Sequence, residues 1–407
     1  MKGKLYLTTI FLVFALTVAG QRRQLQEARL ILKGDKGYDK AEKLMTDLLK
    51  DSANLDNKRI YDMWLQAVEK QYLQVNEKMY KKQEVDTTKF FAMTRRMFDV
   101  GFRLDSLEER LAQPFDKLKD RGKPRKPQKI EYRKDHAEML AQYRPNLFYG
   151  GTYHLRKGEL TTAYDFFERY IGCDRQPLFT DYHLMDTDER MGEAAYWATN
   201  CGYRMNDPVL TLRYAQLARR DSAKLENTLQ FTAEAWRQLK DDESYVVALR
   251  EGVERFPESP YFFPRLMDSY SVRGNYEKAL ATAEEALKTD SLNTLFMLAK
   301  STMLLNLGRY QECLDYSKRL IAFDGLAAEA FYNAGTACMN IALKLDSRKQ
   351  KKQITKLYQK ALPYMETYRK LAPTETQKWG DALYRIYFNL NMGKQFEEID
   401  RMLKSLK

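Results

Sequence analysis

The sequence predicts an all-α solenoid of antiparallel helix pairs, and three observations carry that prediction. The phrase "GNYEKALATAEEALKTD" (residues 274–290) returns as "GRYQECLDYSKRLIAFD" (308–324), with Gly, Tyr and the closing Asp in register 34 residues apart. Another amphipathic stretch precedes each unit's second half, at 229–239, 263–272 and 297–307. Small residues recur where two helices would cross: Ala279, Ala283 and Ala286 in one phrase, Cys313 and Ser317 in the next, facing Met267 and Ser301 on the preceding stretches. A fixed period of this length marks stacked supersecondary units, each too small to bury its own apolar face. Antiparallel helices approach closely only where little side chain stands between them. Gly274 and Gly308 supply the left-handed residue that ends a first helix, and Tyr276 and Tyr310 plug the turn that follows.

The period extends in both directions. Upstream, Gly151, Gly158, Leu160, Ala163, Phe167 and Tyr170 match the template. The next unit, with Thr199 and Thr211, comes 48 residues later, and the surplus of 14 falls in "CDRQPLFTDYHLMDT", read as an inter-repeat loop. Downstream, Gly335 follows Ser301 by 34 but Ala361 follows Cys313 by 48. Here the extra residues lie inside one pair, which predicts that each of its helices is about two turns longer. Hairpins are expected to start near 144, 192, 226, 260, 294, 328 and 374, the last ending in charged residues as a cap. The chain is thus divided into a signal peptide (1–20), an irregular helical region with one repeat-like hairpin (21–116), a basic linker (117–134) and the solenoid (135–407). In the second region Tyr38 and Ala41 echo the template, and two longer helices are expected at 58–82 and 87–111.

These motifs resemble the tetratricopeptide repeat over residues 144–407, and the ending "WGDALYRIYFNLNMGKQFEEIDRML" is similar to secreted tetratricopeptide proteins of Bacteroidota. The resemblance implies an α-solenoid with a binding role and no named partner.

Composition agrees with a folded, helical chain. Of 407 residues 44% are hydrophobic, enough for a sizeable core, and 11 Pro with 19 Gly exclude a low-complexity linker. The net charge of +12 is concentrated at 117–134, where nine basic residues stand against Asp120 and Glu131. That stretch reads either as a solvated loop or as a contact with an anionic surface. The N-terminus has Lys2 and Lys4, then an apolar run from Leu5 to Val18, then Ala19 and Gly20. As a helix this run reaches about 21 Å, short of the roughly 30 Å hydrocarbon core. It is therefore expected to be a signal peptide cut before Gln21, the alternative being an uncleaved anchor in the inner membrane. No Asn-x-Ser/Thr sequon occurs, which favours a bacterial periplasm or envelope over a eukaryotic secretory route. Export in turn argues against a nucleic-acid partner.

Catalytic patterns are absent from the sequence: it has no Gly-rich phosphate loop, G-x-S-x-G or H-E-x-x-H. Neither enzymatic activity, a cofactor nor a metal is expected. Of the three His, His154 reads as a packed core residue, and His183 lies among Asp181, Asp186 and Asp188 in what reads as an acidic helix start. Cys313 and Cys338 fall at similar heights on neighbouring helices, so an exported chain could join them as a disulfide; two buried thiols are the plainer reading.

The first helices of such a stack line its concave face. By template offset the free positions there are Tyr196, Asn200, Tyr203 and Arg204, then Gln230 and Arg237, Arg265 and Asp268, Thr302 and Asn306, and Tyr332, Asn333 and Thr336. Amides can pair with an extended backbone, Arg can clamp a carboxylate, and Tyr offers flat area at low entropy cost. The set does not reproduce the Lys-rich carboxylate clamp of chaperone-binding relatives. The sequence thus points to a protein-interaction scaffold with a peptide or protein partner. The alternative is a receptor for an anionic glycan or lipid headgroup, touching a membrane peripherally through the basic N-terminal half.

Overall fold

The computed structural model describes residues 20–113, 119–120, 123–124 and 127–405. The expected signal segment falls outside them, as does much of the basic linker. Contacts divide the chain into two compact units, Met1–Asp241 and Asp242–Lys407. The division falls inside the hairpin predicted from 226. It does not fall at the basic linker.

The first unit opens with α1 (20–33), α2 (Tyr38–Leu48), α3 (Lys58–Tyr80) and α4 (Thr87–Ala112). A ribbon of two-residue strands follows, β1 (Lys119–Asp120) antiparallel to β2 (Lys123–Pro124). Next come α5 (Arg133–Tyr143), α6 (Pro145–Arg156), α7 (Leu160–Gly172), α8 (Leu184–Thr187), α9 (Met191–Arg204), α10 (Pro208–Arg213), α11 (Ala215–Ala218) and α12 (Leu225–Gln238). The second unit holds α13 (Asp242–Arg255), α14 (Phe262–Val272), α15 (Tyr276–Thr289), α16 (Thr294–Asn306), α17 (Tyr310–Phe323), α18 (Ala328–Leu343), α19 (Lys351–Leu371), α20 (Thr376–Asn389) and α21 (Gly393–Ser405). In this unit each helix packs on the next, and the first helices α16, α18 and α20 also touch in succession. This is the all-α stack of helix pairs that the period predicts.

The turns show why the pattern repeats. Gly274 and Gly308 have φ of 68° and 70°, and the amide after each donates back to a carbonyl five residues earlier, Asn275 N to Tyr270 O and Arg309 N to Leu304 O. That bond closes the last turn of the first helix and satisfies a carbonyl it would otherwise orphan. Asn206 and Lys240, at the same place in their own hairpins, adopt φ of 58° without being glycine, with Asp207 N bonded to Gly202 O and Asp241 N to Trp236 O. Helix starts are capped less regularly: Asp207 accepts from Leu210 N, and Asn293 from Leu295 N and Phe296 N.

The small residues sit at the crossings. Ala279 and Ala283 are wholly buried in α15, and Ser317 and Cys313 in α17. A Cβ on Gly252 would stand 2.1 Å from the buried Phe262 ring.

Two expectations need correction. The 14-residue surplus in the α18–α19 pair is not shared equally by its helices. Relative to α16 and α17, the first helix gains three residues, the turn four and the second helix seven. Only α19 is two turns longer, because residues 344–350 turn off the helix, where Asp346 Oδ1 caps the amides of Arg348 and Lys349. The insert 173–187 is not an open loop either. It forms short 3₁₀ turns and α8, and Phe179 is buried against Phe98 and Phe102 of α4.

The basic linker also does not separate two cores. One hydrophobic cluster runs from Leu65, Phe91 and Phe98 through Leu140 and Phe148 to Phe167 and Ala198. From residue 127 the chain is docked: buried Glu108 accepts from Glu131 N at 2.8 Å and Tyr132 N at 3.1 Å, and Lys58 reaches both Glu108 and the Lys129 carbonyl.

A candidate ligand cleft on the first helices

In the second unit α18 and α20 stand side by side as consecutive first helices, and a cleft of about 780 Å³ opens along them. The α18 wall presents Tyr332, Thr336 and Asn340, residues four apart that share one helix face. The α20 wall presents Gln377, Asp381 and Arg385 at the same spacing. Leu343 and Tyr358 contribute from the lengthened pair, so the extra turns of α19 deepen the cleft.

The electrostatics are mixed. Lys378 lies 3.3 Å from both Glu329 and Glu375. Burial works against its ammonium, but the Glu329 carboxylate outweighs it and holds the group well above the ordinary lysine range. Tyr368 donates to the same Glu329 at 3.0 Å, and its hydroxyl is pushed up to about 12 by burial and by that carboxylate. Arg385 is exposed. Burial raises the nearby Tyr358 hydroxyl, and the Arg385 charge opposes the rise. The Thr336 hydroxyl oxygen is buried with no hydrogen-bond partner in the structure. A cleft with one unsatisfied hydroxyl, two amides, a guanidinium and two tyrosines can bind a polar chain.

The structure brings together only part of the expected set. Tyr332 and Thr336 line this cleft. Asn333, one residue and therefore about 100° round the helix, points into the core. It is 2% exposed and donates to Ser301 Oγ and Thr302 Oγ1, both at 3.0 Å. Ser301 in turn bonds Ser317 at 2.7 Å, so the polar positions of three helices satisfy one another inside the stack. Thr302 is half-buried there and Asn306 is exposed. Arg265 and Asp268 are exposed, and the Arg265 guanidinium covers the Tyr261 ring at 3.9 Å.

In the first unit Tyr196 is buried, because Phe231 of the following first helix lies over it, and Lys224 caps its ring at 5.4 Å. Tyr203 is 39% exposed and stacks on Phe231 at 4.4 Å. Asn200 and Gln230 are half-buried, Gln230 donating to Glu226, while Arg204 and Arg237 are exposed, Arg237 bonded to Glu234. Asn340, Asp381 and Arg385 were missed, although the i, i+4 stripe 377–381–385 was visible in the sequence of α20.

Of the two cysteine readings, the structure has the buried thiols and not the disulfide: Cys313 and Cys338 are free and buried, and the Cys313 thiol faces Ser317 Oγ at 3.8 Å and the Asn333 carbonyl at 3.9 Å. Burial pushes the Cys338 thiol up to about 11, which disfavours the thiolate that oxidation needs. His154 is buried, stacks on Phe166 at 5.3 Å and bonds Glu159 at 2.5 Å.

No family model matches the sequence, and no curated protein matches it. Among solved structures, YrrB, described as a tetratricopeptide-repeat protein with an unusual peptide-binding site, is 16% identical with a TM-score of 0.35, over 49% of this chain and 95% of that one. The C-terminal part of a repeat protein from Cytophaga hutchinsonii is 12% identical with a TM-score of 0.40, over 61% and 90%. The TPR2AB domain of yeast Sti1, described as a complex with pHSP90, is 9% identical with a TM-score of 0.23, over 62% and 99%. All three are described as tetratricopeptide-repeat structures. At these scores the helix pairs themselves carry the fold.

Proposed function

We propose that this chain is a non-catalytic interaction scaffold that holds an extended peptide along its first helices, with the α18–α20 cleft as the main seat. The observation that carries the reading is the Thr336 hydroxyl, buried without a partner in a cleft lined mostly by hydrogen-bonding side chains. An unsatisfied buried hydroxyl costs stability unless a ligand completes it. Within the second unit the exposed first-helix residues Arg265, Asp268 and Asn306 extend the same binding role.

Replacing Asn340 and Arg385 by Ala should weaken capture of a selected peptide about tenfold or more, since a hydrogen bond to a charged group contributes roughly 1.5–3 kcal/mol. Thermal stability should be nearly unchanged. The control replaces Lys288 and Arg319, exposed on the second helices α15 and α17, and should do neither. Peptides selected on the whole chain and measured by isothermal titration would decide it; loss in the control pair and retention in the cleft pair would reject the reading.

We further propose that the chain is exported to the bacterial envelope, on the Lys2/Lys4, apolar, Ala19-Gly20 order at its start. Mass spectrometry of the protein recovered from a bacterial envelope fraction should find a chain beginning at Gln21. An intact Met1 would overturn cleavage.

A further inference from the structure

We infer that the elbow between α18 and α19 is a docking site for an anionic lipid surface. This goes beyond the peptide cleft: its six cations are outside the cleft lining, and only Leu343 is common to both. The elbow is where the second unit departs from its period, so packing within the repeat does not explain its composition. Between Arg348 and Lys360 stand six cations (Arg348, Lys349, Lys351, Lys352, Lys356 and Lys360) and no acidic residue. All six are exposed. Among the described residues none makes an ion pair, and none is among the residues with further partners. The nearest acid in sequence, Asp346, caps the backbone amides of Arg348 and Lys349 and makes no ion pair with a cation of the elbow, so one negative charge stands against six positive ones. Elsewhere in this unit several exposed cations are paired, among them Lys288 with Glu285, Arg309 with Glu312 and Lys404 with Asp400, and the unpaired ones are not clustered in this way. The elbow is therefore a concentrated positive charge that the protein does not neutralise.

The geometry suits a surface. Lys352, Lys356 and Lys360 recur every fourth residue on α19, a row of cations with a rise of about 6 Å per step along one helix face. At the tip, Leu343 is 64% exposed at the end of α18, beside Lys344, which is itself held by the Gly308 carbonyl and the Tyr310 ring. An exposed Leu a few residues before a run of unpaired cations matches a bilayer interface, with the apolar group among the acyl-chain ends and the cations at the headgroups. An acidic protein would satisfy the charges but would give the exposed Leu343 no acyl layer to enter. Clusters of four to eight Lys/Arg on an amphipathic helix are attracted to anionic bilayers by an amount equivalent to about fivefold in affinity per charge.

The test is co-sedimentation of the full chain with phosphatidylcholine vesicles, with and without phosphatidylglycerol. The N-terminal apolar stretch is common to every variant and contributes alike to both lipids. Binding should rise with phosphatidylglycerol and fall as salt is added. Lys352→Glu, Lys356→Glu and Lys360→Glu together should reduce the phosphatidylglycerol-dependent part more than about 100-fold. The matched triple Lys33→Glu, Lys36→Glu and Lys82→Glu, at exposed sites in the other unit, should reduce it far less. Leu343→Ser should weaken vesicle binding but not binding to soluble polyglutamate. Equal loss in both triples would mean that net charge alone acts, and would overturn the proposal. Polyglutamate binding without vesicle binding would overturn it too, in favour of an acidic protein partner. Circular dichroism of each variant separates loss of binding from loss of fold.

Discussion

Replacing Arg144 with Ala is expected to cost about 3–5 kcal/mol, the range for removing one partner of a buried ion pair. Arg144 links α5 to α6 and is 6% exposed. Its Nη1 donates to Asp188 Oδ2 at 2.6 Å, its Nη2 to the Tyr170 carbonyl at 3.0 Å, and its guanidinium lies 3.8 Å from the Tyr170 ring centre. Tyr170 donates to the same Asp188 oxygen at 2.6 Å, and the other Asp188 oxygen accepts from Arg190 N at 2.9 Å. One side chain thus fastens α6, α7 and the start of α9. Without it, Asp188 is left as an uncompensated carboxylate beside a buried tyrosine. Replacing both Arg144 and Asp188 with Leu should cost less than Arg144→Ala alone, because no charge is then stranded. Denaturant melts followed by tryptophan fluorescence would show both effects, since Trp64, Trp197 and Trp236 all lie in this unit. A loss below about 1 kcal/mol for the single change would mean that the bolt is not structural.

The same site predicts a pH dependence. Burial raises the Asp188 carboxyl, but the hydrogen bonds from Tyr170 and Arg144 outweigh it and hold the group below the usual carboxylate value. A group whose folded pKa is depressed contributes stability above its unfolded pKa and loses it as pH falls through the folded value. The contribution is therefore complete above about pH 4 and fades in more acid solution. The gap between wild type and Arg144→Ala should narrow below that point.

How much of this was legible follows from what a period can carry. Spacing revealed the helices because a buried face repeats at a fixed interval, and it revealed Gly274 and Gly308 because glycine announces a left-handed turn. It did not reveal Asn206 and Lys240, which take the same backbone conformation with ordinary side chains. The cleft was half legible. Offsets of 34 reached Tyr332 and Thr336, which line the cleft, but admitted Asn333, since a one-residue error turns a helix face by about 100°. The template list also stopped at α18, so the facing stripe on α20 was never paired with it. The Arg144 bolt was invisible because its partners lie 26 and 44 residues away, on either side of an insertion that interrupts the period. Phe179 was lost for the same reason: an insertion has no template to say which way it faces.

Replacing Gly202 with Leu should cost about 3 kcal/mol, the upper end of the usual overpacking range. Gly202 is buried in α9, and a Cβ there would stand 2.5 Å from Thr211 N, 2.7 Å from Leu210 C and 2.9 Å from Thr211 Cα. These are backbone atoms of α10. They cannot rotate aside as a side chain can, so the helices must separate. Separation is costly here because α9 also packs against α7, α11 and α12, and moving it from one neighbour disturbs the others. It would also strain the turn, where the Gly202 carbonyl accepts from Asp207 N and Asp207 caps α10 through Leu210 N. Gly172, at the end of α7, is the internal comparison: an added Cβ meets nothing within 4 Å, and its φ of −63° suits any L-residue. Gly172→Ala should therefore raise stability by roughly 0.5 kcal/mol, chiefly by restricting the unfolded chain. The two substitutions measured in the same melts separate close approach from backbone freedom. If Gly202→Leu lost less than about 1 kcal/mol, α9 and α10 would not be in backbone contact, and the small residues of this repeat would need another explanation.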